Sequence, residues 1–552
     1  MRNKVLGIIS IFLLNLSFAF AQIDNQVEEE IYEGVNFPMK HWDTPNIKNQ
    51  DFLITDFGGL GDGIFKNTVA FKQAISQATE VGGGKIIVPR GIWLTGPIEL
   101  KSGINLHLEA GAVLLFSRDF DDYPLIETSY EGLNSARSTS PIFANNAENI
   151  AITGSGVIDG NGQAWRPVKK SKMTDHQWRD LIKSGGVLSE NKSVWYPSKS
   201  ALKGSESDLS SFSLEELKEV KAFLRPVMVS LVNCKNILLD GPTFQNSPAW
   251  NIHPLMSENI IIRNLNIRNP WYAQNGDGLD IESCKNVLVY NNTFDVGDDA
   301  ICVKSGKDKD GRDRGIPTQN VIIKNNTVYH GHGGFVIGSE MSGGVKNVHI
   351  SDCNFIGTDT GLRFKSTRGR GGVVEDIYIS NINMTGIATD AIRFNLYYGG
   401  KAPDLSDLTN IKEDEDDYPE VSIETPAFKN IYMDNIQVIE AESAGYFMGL
   451  PEMNLENIKL ENSKIQAKKG MRIINADGIT FNSAKLITEE IPIKIHNVKN
   501  VDFSELFFES DFEKPIQISG SKTAKIELNF NEAGKSFDLQ EGLQESQIIK
   551  IN

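Results

Sequence analysis

Asn259-Ile260-Ile261-Ile262 recurs along this chain, as Asn236-Ile237-Leu238-Leu239 before it and as Asn286-Val287-Leu288-Val289, Asn320-Val321-Ile322-Ile323 and Asn347-Val348-His349-Ile350 after it. Asp376-Ile377-Tyr378-Ile379, Asn430-Ile431-Tyr432-Met433 and Asn457-Ile458-Lys459-Leu460 continue the series, and Asn500-Val501-Asp502-Phe503 is a degraded late copy. Gly103-Ile104-Asn105-Leu106 and Asn149-Ile150 mark earlier ones. Most copies lie roughly 22–29 residues apart, the length of a coil made of three short strands and their turns. A propeller blade needs four strands and a longer period, and a leucine-rich repeat needs its leucine template. The spacing therefore predicts an all-β parallel β-helix. Asparagine sits at the turn of each coil, where it tolerates unusual backbone angles and bonds its counterparts above and below.

A solenoid must cover its ends against edge-to-edge pairing. Asn67 or Thr68 can cap a helix carrying Phe71, Ala74, Ile75 and Ala78 on one face, just before Gly82-Gly83-Gly84 and the strand Lys85 to Val88. This reads as the N-terminal plug. Two insertions interrupt the repeat. The first, 163–223, carries Trp165, Trp178, Trp195 and Tyr196 and closes with a capping-box helix from Ser213 and Glu216. The second, 399–427, contains Glu413-Asp414-Glu415-Asp416-Asp417, read as a solvated loop tip with a calcium site as the alternative.

The start of the chain, Met1-Arg2-Asn3-Lys4, is basic, Val5 to Leu16 is largely apolar, and Ala19-Phe20-Ala21 supplies small residues for cleavage before Gln22. The expectation is a signal peptide over 1–21 and one β-helix over 22–552, exported to a periplasm or beyond the cell. No later stretch approaches the ~20 apolar residues of a membrane helix. Cys234 and Cys284 occupy equivalent places two coils apart, roughly 9.6 Å by strand spacing, too far for a disulfide. Buried free thiols are expected. The formal net charge of -17 argues against nucleic acid or an anionic membrane as a partner. A polyanionic sugar still fits a cleft made locally basic by Lys304, Arg363, Lys365 and Arg393.

Four stretches on successive coils carry the chemistry: Asn275-Gly276-Asp277-Gly278-Leu279, Gly297-Asp298-Asp299-Ala300-Ile301, Gly331-His332-Gly333-Gly334-Phe335 and Gly361-Leu362-Arg363-Phe364-Lys365. Laid over one another, Leu279, Ile301, Phe335 and Leu362 form one inward column, and Ile281, Val303, Ile337 and Phe364 another. Alternation then sets Asp277, Asp298, Asp299, His332, Arg363 and Lys365 on one outward stripe. Turn aspartates and exposed strand cations are ordinarily structural. Three acids, a histidine and two cations in one register argue instead for glycosidic hydrolysis, which takes one protonated carboxyl for the leaving oxygen and one carboxylate for water. Crowding raises the pKa of at least one of the acids. Arg363 and Lys365 suit an anionic substrate group, and Arg393 repeats the Arg363 position one coil later. The glycines around His332 would let a ligand approach the backbone.

These motifs resemble the signature of the polygalacturonases, glycoside hydrolase family 28, in order and spacing. Arg225-Pro226, Asn246-Ser247-Pro248-Ala249-Trp250, His253-Pro254 and the segment from Asp56-Phe57-Gly58 to Gly61-Asp62-Gly63 resemble it too. The resemblance covers about 51–467 and implies a right-handed β-helix that hydrolyses α-linked galacturonic acid in pectin with inversion and no metal or other cofactor. It implies that Asp298 is the general acid, that Asp277 and Asp299 activate water, and that His332 supports the acids. Arg363 and Lys365 would bind the substrate carboxylate, with Arg393, Asn275 and Lys304 assigned to further substrate contact. Gly276 stands where the family has threonine, which should loosen the turn holding Asp277, and Phe364 stands where it has isoleucine. Inversion predicts acid and base carboxyls roughly 6.5–9.5 Å apart.

The first insertion is read as a wall that closes one end of the cleft, giving exo-action. The alternatives are a rhamnogalacturonan or decorated-pectin hydrolase, a calcium-dependent pectate lyase, and a non-catalytic carbohydrate-binding solenoid.

Overall fold

The computed structural model describes residues 27–400, 418–530, 535–540, 543 and 548–551. The expected signal peptide and the acidic run Glu413-Asp414-Glu415-Asp416-Asp417 lie outside the described residues. The strands stack in parallel, each coil on the last, in a right-handed parallel β-helix. Both inward columns stand as read: Leu279, Ile301, Phe335 and Leu362 are successive partners, as are Ile281, Val303, Ile337 and Phe364. All eight are fully buried in a core that runs from Phe52 to Leu528.

The turn column explains why asparagine repeats. Asn236, Asn259, Asn286, Asn320 and Asn347 all adopt positive φ. Each carboxamide nitrogen from Asn259 to Asn347 donates to the oxygen of the asparagine one coil earlier, at 3.0–3.2 Å. A short polar side chain both permits the left-handed turn and satisfies its neighbours. Asp376 keeps the conformation and accepts from Asn430. The register also reveals a coil hidden from the repeat: Gly478, with φ +77°, holds the turn between Asn457 and Asn500. Glycine reaches that conformation without any side-chain signature.

Helix α1, Thr68–Glu80, plugs the N-terminal end and buries Ala70, Phe71, Ala74, Ile75 and Ala78. Asn67 is the capping residue by position only. Its carboxamide instead accepts from the Leu60 N–H and donates to the Leu60, Phe65 and Leu94 carbonyls, tying the preceding loop to the first coil. Residues further upstream form a strap that the repeat does not announce: Val27 and Ile31 cover Leu238, Ile261, Leu288 and Ile322 on the outward face of the stacked strands Lys235–Asp240, Glu258–Arg263, Lys285–Tyr290 and Thr318–Lys324.

The 163–223 insertion is a small subdomain with a three-stranded antiparallel sheet and helices α2 (Asp175–Lys183), α3 (Lys199–Ser205) and α4 (Leu214–Glu219). Ser213 and Glu216 form the expected capping box, and Thr174 and Gln177 form a second on α2. Trp165, Trp178 and Trp195 are buried. The last two, with Val168, make the insertion's own core against Tyr272. The four cysteines are buried free thiols. Among the described residues, no helix is long and apolar enough to cross a membrane.

Candidate active site

Asp277 and the Asp298-Asp299 pair each occupy the turn entering a strand, Leu279–Glu282 and Ile301–Lys304 respectively. The backbone fixes these turns coil to coil. The Asp277 carbonyl accepts from Asn251 N–H at 3.0 Å, the Asp299 carbonyl accepts from Gly278 N–H at 2.9 Å, and the Asp298 carbonyl accepts from His332 N–H at 2.8 Å. The result brings one carboxylate oxygen of each of Asp277, Asp298 and Asp299 within 4.8 Å of the others. Arg363 and Lys365 arrive from the strand Thr360–Lys365. Arg363 Nη1 donates to one Asp299 oxygen at 3.0 Å and Lys365 Nζ to the other at 2.7 Å. The ring of Tyr398 lies 5.0 Å from the Lys365 ammonium and 5.7 Å from the Arg363 guanidinium.

This geometry drives the two buried acids apart. Burial alone would raise Asp299, but Lys365 and Arg363, with His332 nearby, hold it far below the usual carboxylate range. Among the described residues, Asp277 has no ion pair with a cation. Burial, then Asp280 and Asp298, push its carboxyl well up, and its Oδ1 has no hydrogen-bond partner among the described residues. Asp298 is the most open of the three. Its Oδ1 accepts from the Asp299 N–H at 3.1 Å.

A second layer lies beneath. Lys304 Nζ is 3.4 Å from Asp280 and 3.1 Å from Glu340, and it sits 4.3 Å from the Trp250 ring centroid. Burial would raise Glu340, yet Lys304 and Lys365 draw it down to about 2. Asp280 is pushed up to about 8, chiefly by burial against the pull of Lys304. His332 Nδ1 lies 2.6 Å from Asp359 Oδ2. That hydrogen bond lowers the Asp359 carboxyl, helped by Lys172 from the insertion.

The family model for the glycosyl hydrolases of family 28 matches residues 215–413. The fold aligns with the solved structure of a hyperthermoactive exopolygalacturonase from Thermotoga maritima at 31% identity, with a TM-score of 0.64, over 84% of this chain and 95% of that one. The chain belongs to glycosyl hydrolase family 28. It is also 34% identical over 341 residues to a probable polygalacturonase of Vitis vinifera, covering 60% of each chain. It is 32% identical over 354 residues to an exo-poly-alpha-D-galacturonosidase of Dickeya chrysanthemi, covering 62% of this chain and 57% of that one. The matches thus span about 60% of the grape relative's length and 57% of the Dickeya relative's.

As a family 28 site, this one departs from the sequence reading at several places. Lys304 is 3% exposed and committed to Asp280 and Glu340, so it braces the acids from below and does not face a ligand. Gly276 does not loosen its turn. A Cβ there would lie 2.6 Å from Ala273 Cβ, so the turn is packed too tightly for threonine. Gly333 likewise makes room for Val336, Asp299 and Arg363, and not for an approaching ligand. Phe364 stacks on Phe394 at 4.3 Å, within an aromatic ladder that continues to Phe447, which accounts for phenylalanine at that place. Of the insertion's tryptophans, Trp178 and Trp195 fill its own interior, and Trp165 packs edge-on against Phe120 and Tyr123 of the coil beneath.

Other expected residues take defined places. Arg393 pairs with Arg363 across adjacent strands and bonds Asp390 at 2.7 Å. Asn275 accepts from Arg225 Nη2 at 2.8 Å, so Arg225 holds the turn before Asp277. His253 lies 2.9 Å from Glu282, and both are buried. The sequence reading missed Asp280, Glu340, Asp359 and Tyr398. Asp280 and Asp359 could have been found by their register beside the acid and histidine motifs. Tyr398 and Glu340 sit in loops with no periodic signal.

The reading also missed an antiparallel hairpin, Leu125–Tyr130 with Leu133–Ser138. Tyr130 packs 4.9 Å from Trp250, Gly132 O accepts from Lys307 N–H at 3.1 Å, and Ser129 takes Arg314 at 3.2 Å. With helix α5, Asp308–Arg314, the hairpin roofs the sheet on the N-terminal side of the acids. The cavity of about 1400 Å³ beneath it is lined by α1, Ser129, Ser230, Leu255 and Arg314, and by none of the three acids.

Proposed function

We propose that this chain hydrolyses α-linked galacturonic acid in pectin, on homogalacturonan or its oligomers, by removing units from chain ends. The observation that carries the chemistry is the divergence of two buried carboxyls a few ångströms apart: Asp299 held ionised by Arg363 and Lys365, and Asp277 driven toward its neutral form. Family membership and the likeness to an exopolygalacturonase support the substrate.

In this mechanism water attacks the anomeric carbon and Asp299 takes its proton, while neutral Asp277 holds the water by a hydrogen bond. Asp298, the acid most open to the cleft, gives its proton to the leaving glycosidic oxygen as the C–O bond breaks. The proton that Asp299 has taken then leaves to solvent and Asp298 regains one from solvent, so both carboxyls return to their starting states, with His332, oriented by Asp359, supporting the acids. Arg363 and Lys365 keep the base charged and present cationic surface to the uronate carboxylate. Inversion is the proposed outcome, as membership of the family implies.

Exo-action is supported by the hairpin and α5, which close the N-terminal side of the cleft. The first insertion adds to the rim through Lys172. The expected signal peptide fits a proposed exported enzyme.

A product time-course on polygalacturonate, with chelator present and beside Asp298→Asn, tests the reading. Monomer alone should appear early, chelator should not matter, and the substitution should abolish release. Mixed oligomers would overturn exo-action, and unsaturated products lost with chelator would replace hydrolysis by calcium-dependent elimination. Release only from rhamnose-containing pectin would move the substrate, and undiminished oligomer binding without any turnover would leave a binding solenoid. Proton NMR of the first product reads the stereochemistry: a β reducing end supports inversion, and an α end refutes it.

A further inference from the structure

Given the pectic reading of the site, we propose that the outward column running C-terminally from Arg363 is an anion-binding track that holds the uncleaved remainder of the substrate chain. Strand register places Arg363, Arg393, Tyr446, Arg472 and Lys494 one above the other on five successive coils. Four strand separations of ~4.8 Å make this roughly 19 Å long, room for a few further sugar rings. The next member, Gln517, is neutral, so no carboxylate interrupts the column over this length, although the chain as a whole carries a formal charge of -17.

The column is built and not merely cationic. The guanidinium carbons of Arg393 and Arg472 lie 5.0 Å and 4.9 Å from the centroid of the Tyr446 ring, which is 8% exposed and so held in place. Arg393 is anchored by Asp390. Arg472 and Lys494 are half-buried, and neither has an ion pair among the described residues. Two cations without an ion pair among the described residues, at the spacing of adjacent coils and in line with Arg363, fit a ligand that repeats a carboxylate along its length. The roofed N-terminal side of the cleft leaves this direction as the one in which a polymer can extend.

The test uses the full-length protein with Asp298→Asn, so that substrate is bound without being cut. Calorimetric affinities for digalacturonate and hexagalacturonate are compared before and after Arg472→Gln and Lys494→Gln, singly and together. The hexamer should bind more tightly than the dimer. The double substitution should weaken hexamer binding about five- to tenfold, as loss of charge-assisted hydrogen bonds does, and leave the dimer unchanged. Lys468→Gln, which breaks a surface pair with Glu442 off the column, should change neither, and thermal melts establish that each variant is folded. A hexamer advantage that survives the double substitution overturns the track alone. Failure of both oligomers to bind overturns the pectic reading, and the track with it.

Discussion

At the scale of single residues, the site works by putting identical carboxylic acids in unlike surroundings. Asp299 meets two cations, and Asp277 meets other acids in a buried position. Asp280 extends this pattern, with burial raising it to about 8 while Lys304 Nζ stands 3.4 Å away. The sign of its effect on stability follows from linkage. A carboxyl raised in the folded state contributes stability that is fully present below the ordinary carboxylate pKa near ~4, and this is lost as pH rises through the folded value. Asp280→Asn removes that loss, since Lys304 keeps Glu340 as its partner. Thermal melts should coincide with the parent near pH 5 and run a few degrees higher near pH 9. A lower melting temperature at both pH values would show that Asp280 stabilises the fold as an anion.

At the scale of elements, the turn before each strand decides where its acid points. The Asn275-Gly276-Asp277 turn is fixed by Arg225 on Asn275 and by Asn269, whose amide donates to the Gly276 carbonyl at 3.1 Å. Gly276→Thr, which restores the family's usual residue, should therefore be harmful here. Its Cβ would sit 2.6 Å from Ala273 Cβ, an overpacking worth about 1–3 kcal/mol. Denaturant unfolding should show that loss, and kcat should fall with it as Asp277 shifts. Pairing it with Ala273→Gly should recover only part of both, because the Ala273 carbonyl oxygen would still lie 2.9 Å from the new Cβ. Recovery of neither would mean that the crowding lies elsewhere.

Much at this scale was legible in the chain itself. The asparagine period gave the coils, alternation gave the inward columns, and α1 declared its buried face through Phe71, Ala74, Ile75 and Ala78. The hairpin Leu125–Ser138 and the coil turning on Gly478 were not legible. The hairpin strands pair locally and carry no repeat signature, and glycine makes its turn without a side chain to mark it.

For the whole molecule, a long groove on a sheet becomes an end-directed site only if something closes it. Tyr130 on Trp250, Gly132 on Lys307 and Ser129 on Arg314 seat the hairpin over the face that precedes the acids. Replacing 127–136 with a short turn should open that side. Early products from polygalacturonate should then change from monomer to mixed oligomers, with the acids still in place. Monomer as the sole early product of the shortened protein would assign closure to the 163–223 insertion instead.

Sequence by itself determined the solenoid and the register of its columns, set Asp277, Asp298, Asp299, His332, Arg363 and Lys365 on one stripe as candidates, and pointed to the family through the resemblance of its motifs. The solenoid, the columns and the stripe follow from periodicity and from side-chain alternation, which are properties of the chain read one residue at a time. Tertiary structure alone decided the unlike surroundings of Asp277 and Asp299, the structural duty of Lys304, the bracing by Glu340 and Asp359, and the seating of the hairpin on the N-terminal side of the acids. Those depend on burial and on distances between coils. The energy of a charge is set by what surrounds it in space, and that is fixed only when the coils stack.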